Sequence, residues 1–151
     1  MTAQPTSISL GVALLLATLF TAACGPVPGG KLGGVATTPP ADWDTYVEDG
    51  HTICEIESRP SDPHSIQLDC FLYEDGLYVQ SHRWALSSWW PVESWVAIWI
   101  QEPPVRVRIG RQLFDTQALH ISAPTERKAI LSYRGYDPVP DGIEVFQFIP
   151  R

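Results

Sequence analysis

The chain has 151 residues and a net charge of −7, with 17 Asp and Glu against 10 Lys and Arg. That balance argues against a nucleic-acid partner and against adhesion of the domain itself to anionic lipid. The length suits an export signal followed by one small domain with a single core.

The run Ile8–Phe20, ISLGVALLLATLF, is apolar and uncharged. It is shorter than the about 20 residues that cross a bilayer and fits the h-region of a secretory signal. The small residues Thr21, Ala22 and Ala23 follow, and then Cys24. Small residues and a cysteine after an h-region resemble the lipobox of bacterial lipoproteins. The resemblance implies that the Cys24 thiol receives a diacylglycerol, that the chain is cut before it, and that Cys24 becomes an N-terminal membrane anchor outside the cytoplasm. Ordinary cleavage after Ala23, leaving a soluble chain with a free thiol, is the alternative; both imply export. The next stretch, GPVPGGKLGGVATTPPA, lacks the apolar content to pack and predicts a flexible tether. The expected organisation is a signal at 1–23, a lipidated cysteine and linker at 24–42, and a domain at 43–151.

Within the domain the charge is uneven. Acidic residues crowd Asp42–Asp75, where Arg59 is the lone basic residue, and all Trp fall between Trp43 and Trp99. Cys54 and Cys70 predict a disulfide in an exported chain. HTICEIE (51–57) and SIQLDCFLY (65–73) read as a hairpin around the turn-forming SRPSDPH. A turn centred on Asp62 pairs residues whose numbers sum to 124, and 54 plus 70 is 124, so the two cysteines are expected to face each other.

Asp75-Gly76 predicts a second tight hairpin into LYVQSHR (77–83). Pro91 opens an expected helix carrying Trp95, Ile98 and Trp99, which Pro103-Pro104 end; the apolar WVAIWI leaves a buried strand as the alternative. VRVRIG (105–110) alternates strictly, QLFDTQALHIS (112–122) is a further strand, ERKAILSYRG is a short helix after Ala123-Pro124-Thr125 and ended by Gly135, and IEVFQFIP (143–150) is the last strand. The order β-β-β-α-β-β-α-β predicts a mainly β, α+β domain: a small six-stranded barrel with a disulfide hairpin.

DGLYVQSH, the Trp95 helix, EPPVRVRIGRQLFDTQAL and the helix beginning PTER are similar to the FMN-binding split barrels, and within them to the deazaflavin-dependent nitroreductases. The similarity spans about Ile66 to Glu126. It implies a split barrel, often dimeric, with FMN or deazaflavin in a groove beside it. It places Ser81, His82 and Arg83 where the family holds the cofactor phosphate, Ser81 as hydrogen-bond donor and Arg83 as ion-pair partner. Two departures count against a bound flavin. Bulky WALSSWW follows the serine, and the upstream Pro63-His64-Ser65 carries no Lys or Arg.

The four His are scattered without ligand spacing, so no metal site is expected. Arg106, Arg108 and Arg111 read as the wet side of a strand, with anion contact as the alternative. The favoured function is a non-catalytic, lipid-anchored envelope module that binds a small ligand or another envelope protein. Its rivals are a flavin- or deazaflavin-dependent oxidoreductase, with the cofactor supplying the hydride chemistry, and a Trp-lined cell-wall glycan binder.

Overall fold

A computed structural model describes residues 29–58, 63–82 and 95–151. Seven strands form one sheet: β1 (Val35–Thr37), β2 (His51–Ser58), β3 (His64–Tyr73), β4 (Gly76–His82), β5 (Pro104–Ile109), β6 (Gln112–His120) and β7 (Ile143–Pro150). Helix α1 (Trp95–Trp99) precedes β5, and α2 (Pro124–Tyr133) lies between β6 and β7. The sheet order is β1-β6-β5-β2-β3-β4-β7, and a β6–β7 pairing closes the six strands β2–β7 into an antiparallel barrel. The expected fold class and the predicted order from β2 onward are observed. The expected opening at Pro91 lies outside the described residues.

Period-2 alternation sorts side chains between the barrel interior and its outer surface. Cys54 and Ile56 of β2, Val105, Val107 and Ile109 of β5, and Phe146 and Phe148 of β7 enter one buried cluster with Trp43 and Trp99. Trp99 meets Phe146 and Phe148 edge-on at 5.7 and 5.6 Å, and Trp43 meets Phe114 at 5.0 Å. The interior is filled by side chains, as in other narrow barrels. A second cluster lies outside, where Ile130 and Leu131 of α2 cover Phe71, Tyr78, Ile143 and Val145.

Cys54 and Cys70 form the expected disulfide, with Cα atoms 5.8 Å apart. The register differs from the expected one. Thr52 opposes Cys70 and Cys54 opposes Leu68, so partner numbers sum to 122 (52 plus 70), not 124. A two-residue slip leaves every side chain on its face, so the cysteines are diagonal neighbours and still meet. The second hairpin also turns one residue earlier: Tyr73 pairs with Gly76, and Glu74-Asp75 make the turn, with Glu74 at φ 50.

The main correction concerns the tether. From Gly29 the chain is a strap laid across the outside of the barrel. Gly29 and Ser65 exchange backbone hydrogen bonds of 2.6 and 3.0 Å. Leu32 is buried and donates its N–H to Glu57. The Gly33 carbonyl accepts from Arg108 at 2.9 Å. Val35–Thr37 then runs parallel to Gln112–Phe114 as β1. The glycines permit this close contact rather than flexibility. A Cβ on Gly34 would stand 3.0 Å from the Arg111 carbonyl oxygen and 3.1 Å from Leu113 Cβ.

Candidate functional site: the polar mouth of the barrel

β2, β4 and β6 end, and β3, β5 and β7 begin, at the same end of the barrel. Alternation along β4 sends Leu77 and Val79 inward, and Ser81 continues that face. On β7 the face of Phe146 and Phe148 continues to Glu144, which pairs in register with Ser81. On β6 the face of Phe114 and Ala118 continues to His120, opposite Phe146. Three polar residues thus follow apolar ones on the inner face of neighbouring strands, at one mouth.

Glu144 is only 2% exposed. Its carboxylate is 2.8 Å from His120 Nε2 and 3.4 Å from an Arg127 guanidinium nitrogen in the first turns of α2. A buried carboxylate needs such partners to offset its lost hydration. The His120 ring lies 5.2 Å from Phe146, and its backbone N–H donates to a Glu102 carboxylate oxygen at 3.3 Å. Trp99 closes the barrel beneath, donating its indole N–H to Ser58 Oγ at 2.7 Å. The imidazole–carboxylate pair can hold and pass a proton, and the rim can hydrogen-bond a polar ligand.

Of the predicted phosphate ligands, Ser81 stands on the inner face at this mouth. His82, opposite Ile143, takes the other face and is exposed. Arg83 and Cys24 lie outside the described residues. Among the described residues, the Arg127 guanidinium and the His120 ring at the mouth both face Glu144. Arg106 and Arg108 are not simply a wet face. Each sits opposite a carboxylate on β2, Arg106 against Glu57 and Arg108 against Glu55, and both pairs form ion pairs. Among the described residues no group of three or more His, Cys, Asp or Glu is placed to hold a metal.

The His120–Glu144 pair is absent from the sequence expectations. Its signal is present, however: a charged or titratable residue interrupts an apolar alternating face on each strand.

No family model and no curated protein matches the chain. One similar solved structure is a Listeria innocua protein named "Putative Pyridoxamine 5'-phosphate oxidase". It is 14% identical, the match covers 66% of this chain and 83% of that one, and the TM-score is 0.48.

Proposed function

We propose that this chain is an exported, Cys24-anchored envelope protein whose barrel is a non-catalytic binding module for a polar small molecule or another envelope protein. The observation that carries the reading is the buried Cys54–Cys70 disulfide. Such bonds persist in oxidising compartments outside the cytoplasm, which agrees with the h-region and the small-residue-Cys pattern at its end. The packed interior directs ligand binding to the surface, and the mouth with Ser81, His120 and Glu144 is the polar, partly buried place for it. A flavin phosphate there would meet the Glu144 carboxylate, and the described guanidinium beside it, that of Arg127, faces that same group.

Two measurements test the reading. Mass analysis of the N-terminal peptide should find acyl chains on Cys24, and Cys24→Ser should move the protein from the membrane to the soluble fraction. Titration of the purified chain with FMN and with deazaflavin, followed by tryptophan quenching, should show no saturable binding. Saturable binding that is lost on Arg83→Ala would replace the module by the flavin oxidoreductase.

A further inference from the structure

We infer that the strap holds the barrel against the bilayer in one orientation, with the rim around Gly29 and Ser65 facing the lipid headgroups and the β3–β4 turn pointing away. This rests on the proposed lipidation of Cys24. If residues 24–42 were free, 18 residues (42 minus 24) would let the barrel roam up to about 60 Å from the membrane. The strap removes that freedom, because Gly29 is already fixed to Ser65 by two backbone hydrogen bonds. Five residues remain (29 minus 24), and they span at most ~17 Å. Ser65 is the second residue of β3, so the leash is attached at one end of the barrel. Tyr73, eight steps along the same strand, stands ~26 Å farther on.

Charge gives a second, independent reason for the same orientation. The far end carries Asp42, Asp44, Glu48, Asp49, Glu74 and Asp75, all exposed. Anionic headgroups repel that end. At the strap end a cleft of about 250 Å³ is bordered by Lys31, Pro63, Arg151 and the exposed Asp115, with Arg106 there neutralised by Glu57, so this rim is far less acidic than the other end. Lys31 and Arg151 are exposed and positioned to meet headgroup phosphates. The bilayer surface is therefore the partner of this rim. The mouth with Ser81, His120 and Glu144 opens at the same end of the barrel, so what it binds is reached from the membrane side, and the acidic end faces the envelope beyond.

The test uses the lipidated full chain in vesicles of zwitterionic and anionic phospholipid containing a headgroup-attached quencher. A fluorophore is placed through Pro63→Cys in one preparation and Asp75→Cys in another. Quenching at position 63 should exceed that at position 75 severalfold. Inserting about 20 Gly and Ser residues after Pro28 should lower quenching at position 63 and narrow the difference. Equal quenching at both positions, with the protein still floating with the vesicles, overturns the orientation while leaving the anchor intact. A difference unchanged by the insertion overturns the short leash as its cause. Protein that does not float with the vesicles refutes the Cys24 anchor itself.

Discussion

Arg106→Leu is the most direct probe of the strap. Glu57 is 4% exposed, yet it lies on the outward face of β2, because the strap covers it. Its carboxylate accepts from Arg106 Nε at 3.0 Å and from a second guanidinium nitrogen, while its other oxygen takes the Leu32 N–H. Removing the arginine leaves a buried carboxylate with one backbone donor. Breaking a buried pair costs about 3–5 kcal/mol. The Arg106 side chain is 28% exposed, so water recovers part of this, and about 2–3 kcal/mol is expected. For a domain of this size that lowers Tm by roughly 10 °C or more. Urea unfolding of the disulfide-intact chain measures the total. Limited trypsin digestion measures where the loss occurs, since Lys31 lies within the strap. Cleavage after Lys31 should accelerate in Arg106→Leu before the barrel becomes sensitive. The double variant Glu57→Leu/Arg106→Leu should cost clearly less than the sum of the single ones, because it removes the stranded charge. A single-variant cost below about 1 kcal/mol, with unchanged cleavage at Lys31, would mean an ordinary exposed ion pair and a strap held by something else.

The other predictions concern the barrel. Trp99→Phe keeps the aromatic contacts but strands the buried Ser58 hydroxyl, and should cost about 1–2 kcal/mol in urea unfolding; a neutral result would show that Ser58 finds another partner. Replacing Cys54 and Cys70 by Ala together should cost about 3 kcal/mol through the freed unfolded chain, with the β-sheet circular dichroism retained. The Tyr78 hydroxyl is held above its ordinary value of 10.0, mainly by burial and further by Glu126 and Glu74. The folded chain therefore keeps a proton that the unfolded chain loses first, so stability is intact below pH 10 and falls above it, by up to about 1.4 kcal/mol per pH unit. Tyr78→Phe should flatten that part of the stability–pH curve, and an unchanged slope would assign it to another group.

Much of the barrel was legible because both faces of its strands write themselves in period 2. CEIE on β2 and VRVRI on β5 are complementary: apolar residues alternate with acids on one and with arginines on the other, and the two strands are neighbours that pair Glu55 with Arg108 and Glu57 with Arg106. That complementarity contains the β2–β5 pairing, yet each strand taken alone offers only a solvated face. The hairpin register was less legible. A slip of two residues costs no change of face, so alternation cannot choose between a sum of 122 and one of 124. The strap was not legible at all from composition. Gly, Pro and small residues signal a chain unable to bury apolar surface, but the same residues are those that let a backbone lie within contact of a sheet, as Gly34 does beside Arg111 and Leu113. Which meaning applies depends on what the sheet offers, here the Glu57 carboxylate and the edge of β6.

The mouth shows why its chemistry escaped a search by motif. His120 and Glu144 are 24 residues apart and belong to no spacing pattern. They meet because β6 and β7 close the barrel, an event fixed by neither strand alone. What each strand does record is a fault in its own pattern. Glu144 stands on the face that Phe146 and Phe148 bury, and His120 on the face of Phe114 and Ala118. A lone acid on an apolar face is costly unless something pairs with it. Two such faults in one small barrel are most cheaply resolved by each other. The pairing that results is partly buried, hydrogen-bonded and backed by Arg127, so the Arg127 guanidinium is already engaged by a carboxylate. Among the described residues, the mouth therefore presents hydrogen-bonding groups around a buried carboxylate, an arrangement that suits a neutral or cationic polar group.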